Sequence, residues 1–535
     1  MSASPATDEL RERLGLIADV QAAAALLAWD QETYMPPGAI EARAAQLTTL
    51  ARIAHEELVA ERVGELLEAA ASEAEGEPYE SDAASLVRVA QRDRDRATRL
   101  PADLVARLAR AASLGQQAWQ KARQESNFAA FRPHLETLVE LTLEKAETLG
   151  YEADVYDPLL DEFEPGMTTA QLRPLFAMLR ERLVPIVQSL TEPGAGRGAG
   201  ENGGSAGATS TSIGGAGAAA GPNAVAAAGP LRQRFDDRGQ WEFGLEVMRD
   251  FGFDFARGRQ DRSAHPFSTA FATTDVRLTT RIHEDFLPAG LFGSMHECGH
   301  GLYEQGVAPE LERTPLAGGA SLGVHESQSR LWEILVGRSR PFWRHYYPRL
   351  QARFPEQLGA VDREDFYRAI NTVAPTLIRV EADEVTYNLH IMLRFELEIG
   401  LLEGGISVPE LPAAWNAGME SYLGIVSGND AEGVLQDIHW SMGAIGYFPT
   451  YTLGNVMSAQ IFAGARRAIP DLDDRTAAGD FADLHAWLRD KVYRHGRKLT
   501  SPELLERLGC GPLSAEPWLE HIRAKYGELY GLELP

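Results

Sequence analysis

Cysteine is nearly absent. Cys298 and Cys510 are the only two in 535 residues, which excludes a small disulfide-stapled secreted scaffold. Cys298 lies between two histidines of one short motif, where a disulfide would distort the helix that carries them, so both thiols are expected free, as suits a reducing compartment. No apolar run approaches membrane-spanning length, and Met1-Ser2-Ala3-Ser4-Pro5 has neither the basic nor the apolar region of a signal peptide. The expectation is a cytoplasmic protein with no membrane partner. Basic residues are in the minority, 51 Lys and Arg against 77 Asp and Glu, for a formal net charge of -26. That argues against nucleic acid, whose phosphates call for a basic surface, and the acidity serves solubility. An apolar content of 44% is that of a globular protein.

What is present is mostly helical pattern. An Ala-rich apolar stretch, Ala22 to Leu27, is expected to break at Trp29 to Gly38, where Pro36 and Pro37 can open the next helix. That helix carries Leu47, Leu50, Ile53 and Leu58 at helical spacing. Further amphipathic helices fit Ser81 to Leu100, Ala102 to Arg123, Phe131 to Leu149 and Thr169 to Leu190, with Pro101 and Gly150-Tyr151 between them. Thr191 to Gly229 turns abruptly to Gly, Ala, Ser and Thr and cannot bury enough apolar surface to offset ordering, so it reads as a disordered insertion. The chain thus divides into an N-terminal helical part, 1–190, the insertion, 191–229, and a catalytic part, 230–535. Phe267 to Ile282 is rich in β-branched residues and predicts two short strands joined near Thr274. The expected fold is mainly α with a small β-sheet beside the helix that carries His296 and His300.

The chemistry concentrates in His296-Glu297-Cys298-Gly299-His300. On a helix, His296 and His300 lie one turn apart on one face and can grip one metal ion, while Glu297 can take a proton from water activated there. A catalytic ion needs a third protein ligand and an open position. The residue six past His300 is Gly306, so a histidine does not supply it, and Glu304, Glu310, Glu312, Glu326 and Glu333 are the candidates. Glu304 sits on the same rigid helix and is the weaker choice. Glu326, in Gly323-Val324-His325-Glu326-Ser327-Gln328, opens a new helix after a Gly-rich loop and could reach the ion from a crossing helix.

These residues, with others in order along the chain, resemble the carboxypeptidase Taq family of metallocarboxypeptidases. Alongside the two-histidine motif stand His325-Glu326-Ser327-Gln328, His265-Pro266-Phe267, Asp275-Val276-Arg277-Leu278-Thr279, Ile378-Arg379-Val380-Glu381-Ala382-Asp383 and Gly433-Val434-Leu435-Gln436-Asp437-Ile438-His439-Trp440. The resemblance spans nearly the whole chain except Thr191 to Gly229. It implies a large helical metallopeptidase with a deep active-site groove, Glu326 as third ligand beside His296 and His300, one divalent ion per chain, zinc by default with cobalt or manganese compatible with the same donors, peptide substrates and a homodimer.

The implied roles have physical sense. Glu297 serves as general base. Arg379 receives the free substrate carboxylate, since a guanidinium grips a carboxylate with two prongs; the residues alone would favour a salt bridge from Arg379 to Glu381 or Asp383. His439 donates to substrate or oxyanion with Gln436 and Asp437 in support, Tyr447 supplies a phenolic donor in competition with Tyr451, and His265 and His325 line the site or orient ligands. Asp275 and Arg277 brace a strand, and Cys298 is a small residue in a tight helix. Two other functions fit the same signature, an endo-acting helical zinc oligopeptidase and a non-catalytic peptide-binding protein with an inert metal site.

Overall fold

A computed structural model describes residues 5–192 and 229–535. The expected Gly/Ala-rich insertion therefore lies, over 193–228, outside the described residues. Eight helices build the first half: α1 (Pro5–Thr33), α2 (Ile40–Val59), α3 (Glu61–Glu73), α4 (Asp82–Arg99), α5 (Ala102–Glu125), α6 (Phe128–Leu149), α7 (Asp157–Phe163) and α8 (Thr169–Thr191). Helix α1 runs through Trp29 and ends only at Thr33, later than the sequence suggested, because Pro36 is the first residue that cannot continue it. A short 3-10 turn, Pro37–Ala39, then leads into α2.

Helix α9 (Asp237–Phe251) precedes a three-stranded sheet of β1 (Gly258–Arg262), β2 (Ser268–Ala272) and β3 (Asp275–Thr280). The order is β1-β3-β2, with β1 parallel and β2 antiparallel to the central β3. The hairpin β2–β3 is the pair of strands the sequence predicts. Strand β1, Gly-Arg-Gln-Asp-Arg, carries no β-branched residue and no alternation, and pairing with β3 alone makes it a strand. The inner face of β3, Val276 and Leu278, is fully buried against α10 (Leu287–Gly306), the helix that carries His296 and His300. Helix α11 (Leu322–Arg330) follows and continues into one π-helical turn, Leu331–Val336. The remaining helices are α12 (Arg340–Arg353), α13 (Pro355–Leu358), α14 (Arg363–Ile370), α15 (Tyr387–Leu402), α16 (Leu411–Leu423), α17 (Pro449–Ala468), α18 (Leu472–Ala478), α19 (Ala482–Lys491), α20 (Ser501–Arg507) and α21 (Glu516–Tyr530).

Helices α5 to α8 share one continuous core with everything from α9 onward, built around fully buried Trp332, Trp343, Trp415 and Trp518. Helices α1 to α4 form their own cluster, Leu10, Leu14, Val63, Leu67 and Leu86 among its members, joined by Val307, Leu311 and Leu316 from beyond the end of α10. This N-terminal layer is fastened to the body through polar pairs, Arg313 with Asp19, Arg497 with Asp93 and Tyr34 with Asp261. Between the layer and the body lies a cavity of about 590 Å³, bordered by Ile17 and Ala18 of α1, Ala270 and Phe271 of β2, and Glu304 of α10.

Candidate metal centre and active site

Two helices in close crossing make the centre. Helix α10 presents His296 and His300 at i and i+4 on one face. Ser321 starts α11 by accepting the Val324 backbone N–H at 2.9 Å, which fixes where Glu326 emerges. The crossing is tight enough to forbid side chains at two positions. A Cβ on Gly299 would stand 2.6 Å from the Gln328 carbonyl and the Ser329 Cα, and a Cβ on Gly454 of α17 would stand 2.4 Å from Glu326 Cγ. Glycine at both lets α10 meet the backbone of α11 and lets α17 meet the Glu326 side chain.

His296, His300 and Glu326 bring one ligand atom each to within 4.8 Å of one another. Both Nε2 atoms lie 3.5 Å from the same oxygen, Glu326 Oε2. The other ring nitrogens are engaged. His296 Nδ1 is 3.0 Å from Glu333 Oε2, a carboxylate that can only accept, so Nδ1 carries the proton and Nε2 keeps its lone pair. His300 Nδ1 is 2.5 Å from His325 Nδ1, and His325 Nε2 is 2.7 Å from Glu304 Oε1. Reading back from that carboxylate, His325 donates to Glu304 and accepts from His300, which again leaves Nε2 of His300 as a lone pair. Three lone-pair atoms therefore converge on one point, an arrangement that suits a divalent cation and nothing neutral. The buried charges around it point the same way. Burial disfavours charge here, yet the carboxylates of Glu326, Glu333 and Glu297 outweigh it and favour a positive charge at this point, carried either by a proton on the His296 ring or by a cation in its place.

Glu333, one of the five candidate ligands, is thus the carboxylate behind His296. The π-helical turn that holds it, Leu331–Val336, aims it back at α10. Glu304 is the carboxylate behind His325, Glu312 accepts the Thr273 backbone N–H, and Glu310 sits on the loop after α10. Arg330 ties the carboxylates together, with its Nε on Glu326 Oε1 at 2.7 Å and its Nη1 3.5 Å from Glu333 Oε2. Glu326 consequently has one oxygen fixed by arginine and one facing the imidazoles. Burial would raise its carboxyl, but Arg330 and His296 hold it well below the ordinary range. Glu297, buried beside the first ligand, is pushed up by burial to about 7, where a carboxylate is basic enough to take a proton near neutral pH.

A second constellation continues from Arg330. Its guanidinium lies over the Tyr387 ring at 4.4 Å, and the Tyr387 hydroxyl accepts from Arg379 Nη1 at 2.8 Å. Arg379 is not paired with Glu381 or Asp383; its Nε and Nη2 donate to Asp437 Oδ1 at 3.0 and 2.8 Å, because the loop carrying Asp437 folds over it. The Tyr451 ring lies 4.9 Å from the same guanidinium, and the Tyr451 hydroxyl is 3.2 Å from His439 Nε2. Tyr447 packs on His439 and Tyr451 with ring centres 5.1 and 5.4 Å away. Burial and the Glu326 charge both raise the Tyr447 hydroxyl, so it stays a donor. Burial brings His439 down to about 3, so its ring is neutral.

A family model describing carboxypeptidase Taq (M32) metallopeptidases matches residues 9–198 and 218–526. The chain belongs to that family. It is 41% identical over 521 residues to thermostable carboxypeptidase 1 of Thermus thermophilus, covering 95% of each chain, and 34% identical over 522 residues to carboxypeptidase 1 of Bacillus subtilis, covering 98% of each. Its fold is similar to the crystal structure of an M32 carboxypeptidase from Deinococcus radiodurans R1, with a TM-score of 0.89 and 42% identity over 99% of this chain and 100% of that one. As an M32 family member it is a metallocarboxypeptidase, a peptide hydrolase.

Within this M32 architecture most residues nominated from the sequence gather at one place, and two kinds stand apart. His265 is exposed on the loop between β1 and β2, next to Pro266, which lies against Gly293 of α10. Gln436 and Asp437 are fully engaged inside the protein. Gln436 accepts from the Arg379 backbone and from Arg394 and donates to the Leu377 and Glu432 carbonyls, and Asp437 is held by both arginines. They hold Arg379 from behind. Arg277 pairs with Asp275 and lies 4.8 Å from the Trp29 ring, which pins β3 to the N-terminal layer. Cys298 is fully buried and free, its thiol raised by burial. Arg330, Tyr387, Arg394 and Glu164 were not found by sequence reasoning. Glu164, just past α7, accepts the Gly323 backbone N–H at 3.0 Å and so steadies the start of α11. The only signal for Arg330 was its i+4 spacing from Glu326.

Proposed function

We propose that this metallocarboxypeptidase releases single C-terminal residues from peptides, with His296, His300 and Glu326 holding one divalent ion and Glu297 acting as general base. The convergence of three lone-pair atoms whose histidine partners have their other nitrogens tied off carries this reading. Two imidazoles and one carboxylate are the donor set of a catalytic zinc, and cobalt or manganese would be held by the same atoms. The ion supplies Lewis acidity toward water and toward the scissile carbonyl. Glu297 accepts the proton of the attacking water and returns it to the leaving amine. The Tyr447 hydroxyl and one N–H of neutral His439 donate to the oxyanion that develops on the substrate. Arg379 receives the terminal carboxylate, with Gln436 and Asp437 behind it, and His265 at the rim contacts substrate.

Mass-spectrometric ladders from an unblocked peptide, run with metal analysis and with a chelator control, test the proposal. Stepwise loss from the C-terminus that the chelator stops, together with resistance of the C-terminally amidated peptide, is the expected result. Internal cleavage of the amidated peptide would instead make it an endo-acting oligopeptidase, and binding without metal-dependent turnover would make it a peptide-binding protein.

Among the described residues no helix is long and apolar enough to cross a membrane. Two free thiols support the cytoplasm as its location. The homodimer rests on the family resemblance and is tested by molar mass from light scattering.

A further inference from the structure

Arg379 paired with Asp437 alone would be a weak receptor for an anion. A guanidinium has five N–H groups. Arg379 uses three of them, two on Asp437 Oδ1 and one on the Tyr387 hydroxyl. One N–H remains on Nη1 and one on Nη2, the pair that grips two carboxylate oxygens. Yet a one-to-one pair of arginine and aspartate is neutral and holds no surplus attraction for a third charge.

Arg394 changes the balance. It is completely buried on α15 and donates its Nε to Asp437 Oδ2 at 2.6 Å, its Nη2 to Gln436 Oε1 at 2.8 Å and its Nη1 to the His390 carbonyl at 2.7 Å. Among the described residues the one carboxylate paired with it is Asp437, which it shares with Arg379. Glu398, one turn further along the helix, makes no hydrogen bond to Arg394, its oxygens receiving Tyr156, Trp440 and the Gly446 N–H, and burial raises its carboxyl to about 7, so near neutral pH it offsets the Arg394 charge only in part. Two guanidiniums thus share the Asp437 carboxylate and leave a surplus of positive charge beside the spare edge of Arg379. Solvent screens it little, since the side chains of Arg379, Arg394 and Asp437 are 6%, 0% and 11% exposed. The rings of His390 and His439, both buried next to the cluster, add no charge, because burial keeps them neutral and the two arginines reinforce it.

We infer that Arg394 is a positioning residue for recognition of the substrate's terminal carboxylate: by taking the second oxygen of Asp437 and the side-chain oxygen of Gln436, it leaves Arg379 both fixed and net positive. This deepens the reading of Arg379 given above and rests on it. It also explains why a fully buried charge is kept on a helix as apolar as α15, where a methionine would pack.

The metal-loaded full-length enzyme is assayed with a blocked dipeptide bearing a free carboxylate. Arg394→Met should raise KM roughly tenfold or more while kcat stays within about threefold and bound metal is unchanged. Arg394→Lys, which keeps the charge but loses the fork, should fall between. Inhibition by N-acetylleucine, compared with that by its amide, should weaken in parallel with the KM change. An unchanged KM, a fall in kcat at constant KM, or loss of metal overturns the proposal. If Arg394→Met yields no soluble protein, Arg394→Lys decides by the same criteria. Arg379→Gln separates the two layers: a KM effect there without one at position 394 sinks only the role of Arg394, whereas no effect at either means that the carboxylate is received elsewhere.

Discussion

The Nδ1 atoms of His300 and His325 lie 2.5 Å apart, so a histidine proposed as metal ligand is oriented by a second imidazole, itself held by Glu304. The carboxylate at the far end sets the direction of both hydrogen bonds and thereby exposes the lone pair on His300 Nε2. Removing the middle member, in His325→Ala, frees the ring of His300 and its tautomer. The expected outcome is metal affinity lower by roughly 10–100-fold, the usual cost of losing an outer partner of a ligand, measured by chelator competition. Affinity equal to that of the parent would mean that α10 alone fixes the ligand.

Gly454 reaches the same centre from the other side. Its missing Cβ makes room for Glu326 Cγ, 2.4 Å from where that atom would stand. Gly454→Ala gains helix propensity on α17, worth about 1 kcal/mol, but the clash is with a side chain walled in by Arg330 and Ser329. Overpacking of about 1–3 kcal/mol then outweighs the gain. Lower thermal stability and reduced metal occupancy together are expected; a raised Tm with full metal content would show that Glu326 can move aside freely.

How much of this was legible in the sequence depended on whether a contact is local. His296 and His300 share a helix face by spacing alone, and the Gly-rich loop ahead of Glu326 announces a new helix, which begins at Leu322, one turn earlier than the sequence suggested. Strand β1 could not be read in this way, because Gly258 to Arg262 is polar throughout and owes its conformation to β3, over a dozen residues away. Arg394 was hidden for a different reason. On α15 it has Glu398 four positions on, a nearer acid at helical spacing that gives no hint that its partner is Asp437, and Arg379 likewise had nearer acids in Glu381 and Asp383. Assigning Glu326 rather than Glu333 to the metal needed the family motif, since both are acids on the same stretch.

Glu297 separates chemistry from metal binding. It is not one of the three converging ligands, so Glu297→Gln should keep the ion while losing the proton acceptor. A fall in kcat of about 10²–10⁴-fold is expected from loss of a general base, with metal content at the parent's level by elemental analysis. Activity within a few-fold of the parent would transfer the role of base to another group.

The family model matches up to residue 198 and resumes at 218, so 199–217 is additional to what the family's activity requires. None of the nominated site residues falls in it. Deleting 199–217 should leave kcat/KM on an unblocked peptide within about twofold, on the scale of surface changes away from function. A soluble deletion variant without activity would tie the segment to the reaction.

At the opposite end of the chain, α21 is anchored by a buried ion pair, Lys525 Nζ on Glu384 Oε1 at 2.5 Å, with side chains 7% and 2% exposed. Burial would raise the Glu384 carboxyl, but Lys525 and His521 overcome this and hold it well below its ordinary 4.5. A carboxylate depressed on folding contributes stability that is fully present above its unfolded pKa and is lost as pH falls through the native one. Glu384→Gln leaves the lysine buried and unpaired, at a cost of about 3–5 kcal/mol. Thermal melts should therefore show a large gap between parent and variant at neutral pH. The gap should narrow once pH drops below about 4.5, as the parent begins to lose the same interaction. A gap independent of pH would mean that Glu384 contributes by shape and not by charge.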